Sequence, residues 1–87
     1  MVDIKSNQKN QKEFNDITIA EVWRKAIPVK HFDLYKKDRF GSLMFYDDYE
    51  IESENGWFID YIVPIEKGGT EEIENLQPVQ WKNLNNF

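Results

Sequence analysis

Apolar positions come in short groups, each with a recognisable period. Ile19, Val22, Trp23 and Ala26 fall at i, i+3, i+4 and i+7 and share one face of a helix. Thr18 with Glu21 has the capping-box form, and Ile17 before the cap with Val22 after the first turn has the spacing of a hydrophobic staple. The pattern predicts a helix over residues 19–26 that stops before Pro28. Leu43, Met44, Phe45 and Tyr46 form an apolar run suited to a strand, followed by an acidic turn at Asp47 and Asp48. Ser53, Glu54, Asn55 and Gly56 signal another turn. Residues 57–63 form the strongest strand candidate, with Pro64 at its end, where a missing N–H is tolerated. Gly68 and Gly69 turn the chain into a short extended piece over residues 75–77. Pro78 then fits the first turn of a closing helix over residues 79–86, with Trp81 and Leu84 packing back on the strands. Residues 1–13, rich in Lys, Gln and Asn, read as a disordered lead-in, leaving residues 14–87 as one domain. The expected class is α+β: a short antiparallel hairpin and a closing helix, flanked by an N-terminal helix.

Composition narrows the picture. A chain of 87 residues is one domain, and a domain of this size buries only about 60% of its unfolded surface. Its 13 aromatic residues must supply much of that burial. With no cysteine and one histidine, His31, neither a disulfide nor a cysteine-based zinc site can staple the fold. His31 sits in a connecting segment and reads as incidental rather than as a catalytic base. Trp23, at helical spacing with aliphatic residues, reads as core rather than as a base-stacking platform. The sequence lacks both a long apolar run and an N-terminal hydrophobic signal core, so the expectation is a soluble, cytoplasmic protein.

Charge is divided unevenly. Residues 1–44 carry nine Lys or Arg against six Asp or Glu, whereas residues 45–74 carry ten acids against the single base Lys67. The acids Asp47, Asp48, Glu50, Glu52, Glu54, Glu71, Glu72 and Glu74 are either ordinary solvated surface or a face that imitates phosphate spacing toward a basic partner. The densest positive cluster, Lys36, Lys37 and Arg39, is the alternative contact for nucleic acid, weighed against a simple solvated turn.

One stretch carries more specific information. Asp60-Tyr61-Ile62-Val63-Pro64, Lys67-Gly68-Gly69-Thr70 and Asn75-Leu76-Gln77-Pro78-Val79 occur in the order and spacing of an HNH endonuclease motif. Upstream, Val22-Trp23-Arg24-Lys25 and Tyr35-Lys36-Lys37-Asp38 before Gly41 resemble the N-terminal half of one small HNH subfamily, so the likeness spans roughly residues 13–86. The resemblance implies a ββα-metal core. In that family the motif histidine is the general base, the adjacent Asp and an Asn or His beyond the motif hold a divalent metal, and the middle Asn shapes the loop. Carried over by position, Asp60 is the metal carboxylate and Asn75 the loop amide. The base position holds Tyr61, whose phenol, with an ordinary pKa of about 10, stays protonated at neutral pH. The second ligand position, nine residues beyond Asn75, holds the hydrocarbon Leu84.

The expected function is a catalytically inactive HNH-like domain without a cofactor. It would act as a binding module, inhibitor or immunity-type partner of a nucleic-acid-binding protein through its acidic face, with Asp60, Tyr61, Asn75 and Leu84 as vestigial positions. The alternative is a metal-dependent endonuclease in which Gln80, Asn83 or Asn85 joins Asp60 around Mg²⁺. A second alternative is a non-cleaving nucleic-acid binder using Lys36, Lys37 and Arg39.

Overall fold

The computed structural model describes residues 13–84. The expected lead-in therefore lies outside the described residues, apart from Glu13. Among the described residues there are one helix, α1 (Asp16–Trp23), and five strands: β1 (Ile27–Pro28), β2 (Tyr35–Lys37), β3 (Leu43–Phe45), β4 (Trp57–Tyr61) and β5 (Leu76–Gln80). β1, β2 and β3 make an antiparallel three-stranded sheet in that order, and β4 pairs antiparallel with β5. The class is α+β, as the sequence indicates. Among the described residues no helix is long and apolar enough to cross a membrane.

The helix starts three residues earlier than the capping box implies. Asn15 is the cap, and its side chain accepts from the Thr18 N–H at 2.8 Å. Asn caps at least as well as Thr. This register puts Phe14 just before the cap and Ile19 in the fourth helical position, and both pack against the core. Ile17, the expected staple residue, is instead 71% exposed. The inner face is as expected: Val22, Trp23 and Ala26 are buried. Past Trp23 the chain tightens into i→i−3 bonds, Lys25 N to Val22 O and Ala26 N to Trp23 O, both at 3.0 Å.

The core gathers around Trp57, which is fully buried and donates its indole N–H to the Tyr46 carbonyl at 3.1 Å. Its ring centroid lies 4.9 Å from those of Trp23 and Tyr49 and 6.1 Å from that of Tyr46. All three pairs are tilted rather than stacked face to face, which suits rings with negative faces and positive edges. Val22, Ala26, Met44, Ile59 and Leu76 complete the cluster. Burial, the charge of Glu50 and a hydrogen bond to Glu50 push the Tyr49 phenol above its usual range, so it stays neutral within the packing.

Two strands and one helix differ from expectation. β1 and β2 arise where the sequence pattern gives no strand, because pairing of β2 with β3, as in Lys36↔Met44 and Tyr35↔Phe45, organises the Lys-rich segment and gives β1 its partner. The closing helix over residues 79–86 does not begin where expected. Val79 and Gln80 belong to β5, paired with Phe58 and Trp57, and Trp81–Asn83 form one 3₁₀ turn; residues 85–87 lie outside the described residues. Pairing with β4 overrides the helix-entry signal of Pro78, which a strand with only one neighbour accommodates.

The two sheets are joined by one buried carboxylate. Asp38, 1% exposed, opens the β2–β3 turn, where Gly41 adopts φ 87° and its N–H reaches the Asp38 carbonyl at 2.9 Å. Asp38 Oδ1 accepts from Phe40 N at 3.0 Å and Ser42 N at 2.9 Å. Its Oδ2 accepts from Gln80 N at 2.9 Å and Asn83 Nδ2 at 2.8 Å. Replacing Asp38 with Ala deprives these four donors, three of them backbone amides, of their shared acceptor. The expected loss is about 3 kcal/mol or more, a large share of the 5–15 kcal/mol typical of a folded domain. Urea denaturation followed by circular dichroism should show a sharply lowered midpoint, with Asp38→Asn falling in between.

Candidate functional site

The motif segment runs from the end of β4 through the loop over residues 62–75 into β5. Its fixed point is Asn75, buried and triply bonded. Asn75 Oδ1 accepts from Val63 N at 2.8 Å, while Nδ2 donates to Val63 O at 3.0 Å and to Thr70 O at 2.7 Å. The Asn75 carbonyl also receives the Ile62 N–H at 2.8 Å. The amide thus imitates a strand partner for Val63 and pins the far side of the loop at Thr70. Gly69 lies inside this closure, and a Cβ there would meet the Val63 carbonyl oxygen at 1.8 Å. Gly68 supplies the left-handed turn at φ 94°.

β4 sends the two adjacent motif residues to opposite faces. Trp57, Ile59 and Tyr61 alternate onto the core side, and Tyr61 packs against the core cluster with its hydroxyl oxygen buried and its ring centroid 6.4 Å from that of Phe14. Asp60 points the other way, beside Phe58 and across from Gln77, whose Nε2 donates to Asp60 Oδ2 at 3.4 Å. Partial burial raises the Asp60 pKa above its ordinary 3.8, opposed by the Gln77 hydrogen bond, the Tyr61 backbone N–H and the positive charge of Arg39. Leu84 is half-buried and donates its N–H to Trp81 O at 3.3 Å. It follows the turn beyond Gln80, the partner of Trp57, whereas Tyr61 pairs with Leu76 at the other end of the strand pair.

The alternative oxygen ligands do not gather at Asp60. Gln80 faces Trp57, three pairs along from Gln77; its Nε2 donates to Glu54 O at 2.5 Å and its Oε1 accepts from Lys82 N at 2.8 Å. Asn83 is bonded to Asp38 and to Ser42 Oγ at 3.0 Å. Asn85 lies outside the described residues. An octahedral oxygen site for Mg²⁺ needs several converging ligands, and the described residues bring only Gln77 to Asp60.

The acidic residues separate into two groups that flank β4 in sequence, a strand whose end Cα atoms lie about 13 Å apart. Asp47, Asp48, Glu50, Glu52 and Glu54 precede it; Glu71, Glu72 and Glu74, with Glu66, follow it. Asp48 is occupied in its turn, accepting from Ser53 Oγ at 2.8 Å, and Glu50 takes φ 61° and bonds Tyr49. Asp47, Glu52, Glu54, Glu66, Glu71, Glu72 and Glu74 are exposed. Of the basic cluster, Lys36 lies half-buried with Nζ 6.0 Å from the Trp23 ring centroid, and the Arg39 guanidinium stacks 4.4 Å from the Phe40 ring centroid. Sequence reasoning missed Gln77 as the neighbour of Asp60. It also missed Lys25, whose Nζ donates to the carbonyls of Ile73 and, at 2.7 Å, Leu76, tying α1 to the loop's exit.

Comparison of the chain with protein-family models, curated proteins and solved structures gave no match.

Two outcomes test this geometry. In Asn75→Ala the Val63 amide, deprived of its acceptor, should exchange with solvent far faster than in the native protein. Stability should fall by about 2 kcal/mol or more, since Asn75 removes two carbonyls and one N–H from need of water. Hydrogen exchange by NMR checks both. For Asp60 the sign follows from a folded-state pKa above the unfolded one: ionisation at neutral pH opposes folding, and the penalty disappears below pH 3.8, where both states are protonated. Asp60→Asn should therefore raise Tm at pH 7 and leave it unchanged near pH 3, as thermal unfolding across that range would show.

Proposed function

We propose that this domain is a catalytically silent relative of the HNH endonucleases that works as a binding module, an inhibitor or immunity-type partner of a basic, nucleic-acid-binding protein. The observation that carries this reading is the direction of Tyr61. A general base must reach the water or substrate proton it removes, and the side chain at the motif's base position instead fills the core face of β4 with its hydroxyl out of water. Even at the surface, a phenol would be a poor base at neutral pH. The strand pair and its loop support the reading: Asn75 closes the loop, β4 and β5 pair over five positions, and Asp60 remains with Gln77 rather than with a second carboxylate or an imidazole. Such a frame gives rigid display without chemistry.

The exposed acids support a basic partner. A DNA backbone would be repelled by Glu66, Glu71, Glu72 and Glu74, whereas a Lys- or Arg-rich surface would be drawn to them and its approach accelerated at low salt. Mimicry of a phosphate row would then use the two ends of β4 as separate contact points rather than as one continuous strip.

The purified protein should leave supercoiled plasmid intact with Mg²⁺, Mn²⁺, Ni²⁺ or Zn²⁺ and should not retard duplex DNA in a gel at low salt. Charge reversal of Glu71, Glu72 and Glu74 to Lys should abolish capture of a basic partner while leaving Tm nearly unchanged, because exposed charges add little stability. Metal-dependent nicking by the native protein would overturn the reading. Salt-sensitive DNA retardation lost on changing Lys37 and Arg39 would replace it with that of a nucleic-acid binder.

A further inference from the structure

The loop after β4 is built inside out. Its polar side chain, Asn75, is buried, while Ile62, Val63 and Ile65 are 52%, 44% and 44% exposed. These three follow immediately on a strand whose first three residues are buried, so the apolar run does not end at the core boundary but emerges into solvent. The backbone beneath them is fixed. Ile62 N and both polar groups of Val63 are bonded to Asn75, Lys67 N and Gly69 N reach the Pro64 carbonyl at 2.9 Å, and Gly68 N reaches that of Ile65 at 3.0 Å. Loops held this firmly lose little entropy on binding, and β-branched side chains such as these have few rotamers left to lose.

Charge identifies the occupant. Residues 60–75 carry five acids, Asp60, Glu66, Glu71, Glu72 and Glu74, against the single base Lys67. The bond from Asn75 Nδ2 to Thr70 O, with Gly69 lying against Val63, brings the Glu71 end of the loop to the same compact unit as the apolar residues. An apolar centre with a polar, solvent-accessible rim is the ordinary anatomy of a protein interface, and the acids carried by the same loop give this one its sign.

We propose that this loop is the docking surface for a basic protein segment in which Arg or Lys alternates with apolar side chains, Ile62, Val63 and Ile65 taking the apolar groups and the surrounding glutamates the cations. The assignment rests on the binding-module reading above and locates where that module grips. It differs from a purely electrostatic contact because the apolar residues, not the acids, supply the discrimination between basic partners.

Two synthetic peptides of equal length and equal charge separate the alternatives, one alternating Arg with Leu and the other Arg with Ser, each titrated into the isotope-labelled full chain by NMR and calorimetry. The Arg/Leu peptide should bind at least about tenfold more tightly, with the largest shifts at Ile62, Val63 and Ile65. The triple change Ile62→Ser, Val63→Ser, Ile65→Ser should lower its affinity to that of the Arg/Ser peptide with the fold retained; if the triple variant unfolds, Ile62→Ser alone should move affinity in the same direction. Equal affinity for the two peptides, or shifts confined to residues 47–54, overturns the docking loop and leaves the acidic binding module standing. Absence of binding by both peptides overturns the docking loop and the binding module together.

Discussion

The fold depends on one carboxylate being surrounded. Asp38 sits at the turn of the three-stranded sheet and accepts four hydrogen bonds, two from its own turn and two from the end of β5 and the 3₁₀ turn beyond it. Burying an acid is expensive unless its lone pairs are engaged, and the geometry that engages them here brings the two sheets together in one register. Apolar contacts hold the sheets close but are indifferent to direction. The carboxylate supplies direction, fixing β5, and β5 in turn fixes which residues of β4 face inward.

From that register follows the separation of the motif's two adjacent side chains. A strand alternates its faces, so with Trp57 and Ile59 on the core side, Tyr61 must join them and Asp60 must turn away. A one-residue slip would exchange them, placing a carboxylate among indoles and a phenol beside Gln77. The acids are likewise arranged by the fold: β4 stands between the two groups, and Asp48 and Glu50 serve their own turn.

The strands β3 and β4 were legible because their apolar runs are dense, and the inner face of α1 because its spacing is helical. The position of the cap was not, since Asn15 and Thr18 are both competent and only the packing of Phe14 and Ile19 chooses between them. β1 and β2 were invisible: two and three residues long, one containing proline and the other two lysines, they are strands only because β2 lies beside β3 and β1 beside β2. β5 was misread as the entrance to a helix because Pro78 is a common first helical residue, a local preference that pairing with β4 outweighed. The direction of Tyr61 could be read from its alternation with Trp57 and Ile59. The loop role of Asn75 came only with the motif resemblance, and its three bonds needed coordinates. Nothing in the sequence pattern marked Asp38: two of its four donors lie in its own turn and two lie more than forty residues on.

The two distant donors carry a consequence for how the chain comes to be folded. Gln80 and Asn83 follow Asp38 by 42 and 45 residues, and that is half the length of the chain. Without those two contacts, half of the acceptor capacity that Asp38 uses in the fold would fall to water. Closing so long a loop costs entropy before any contact repays it. Contacts this far apart in sequence raise the contact order of a small domain and favour slower folding than a chain held by local contacts alone.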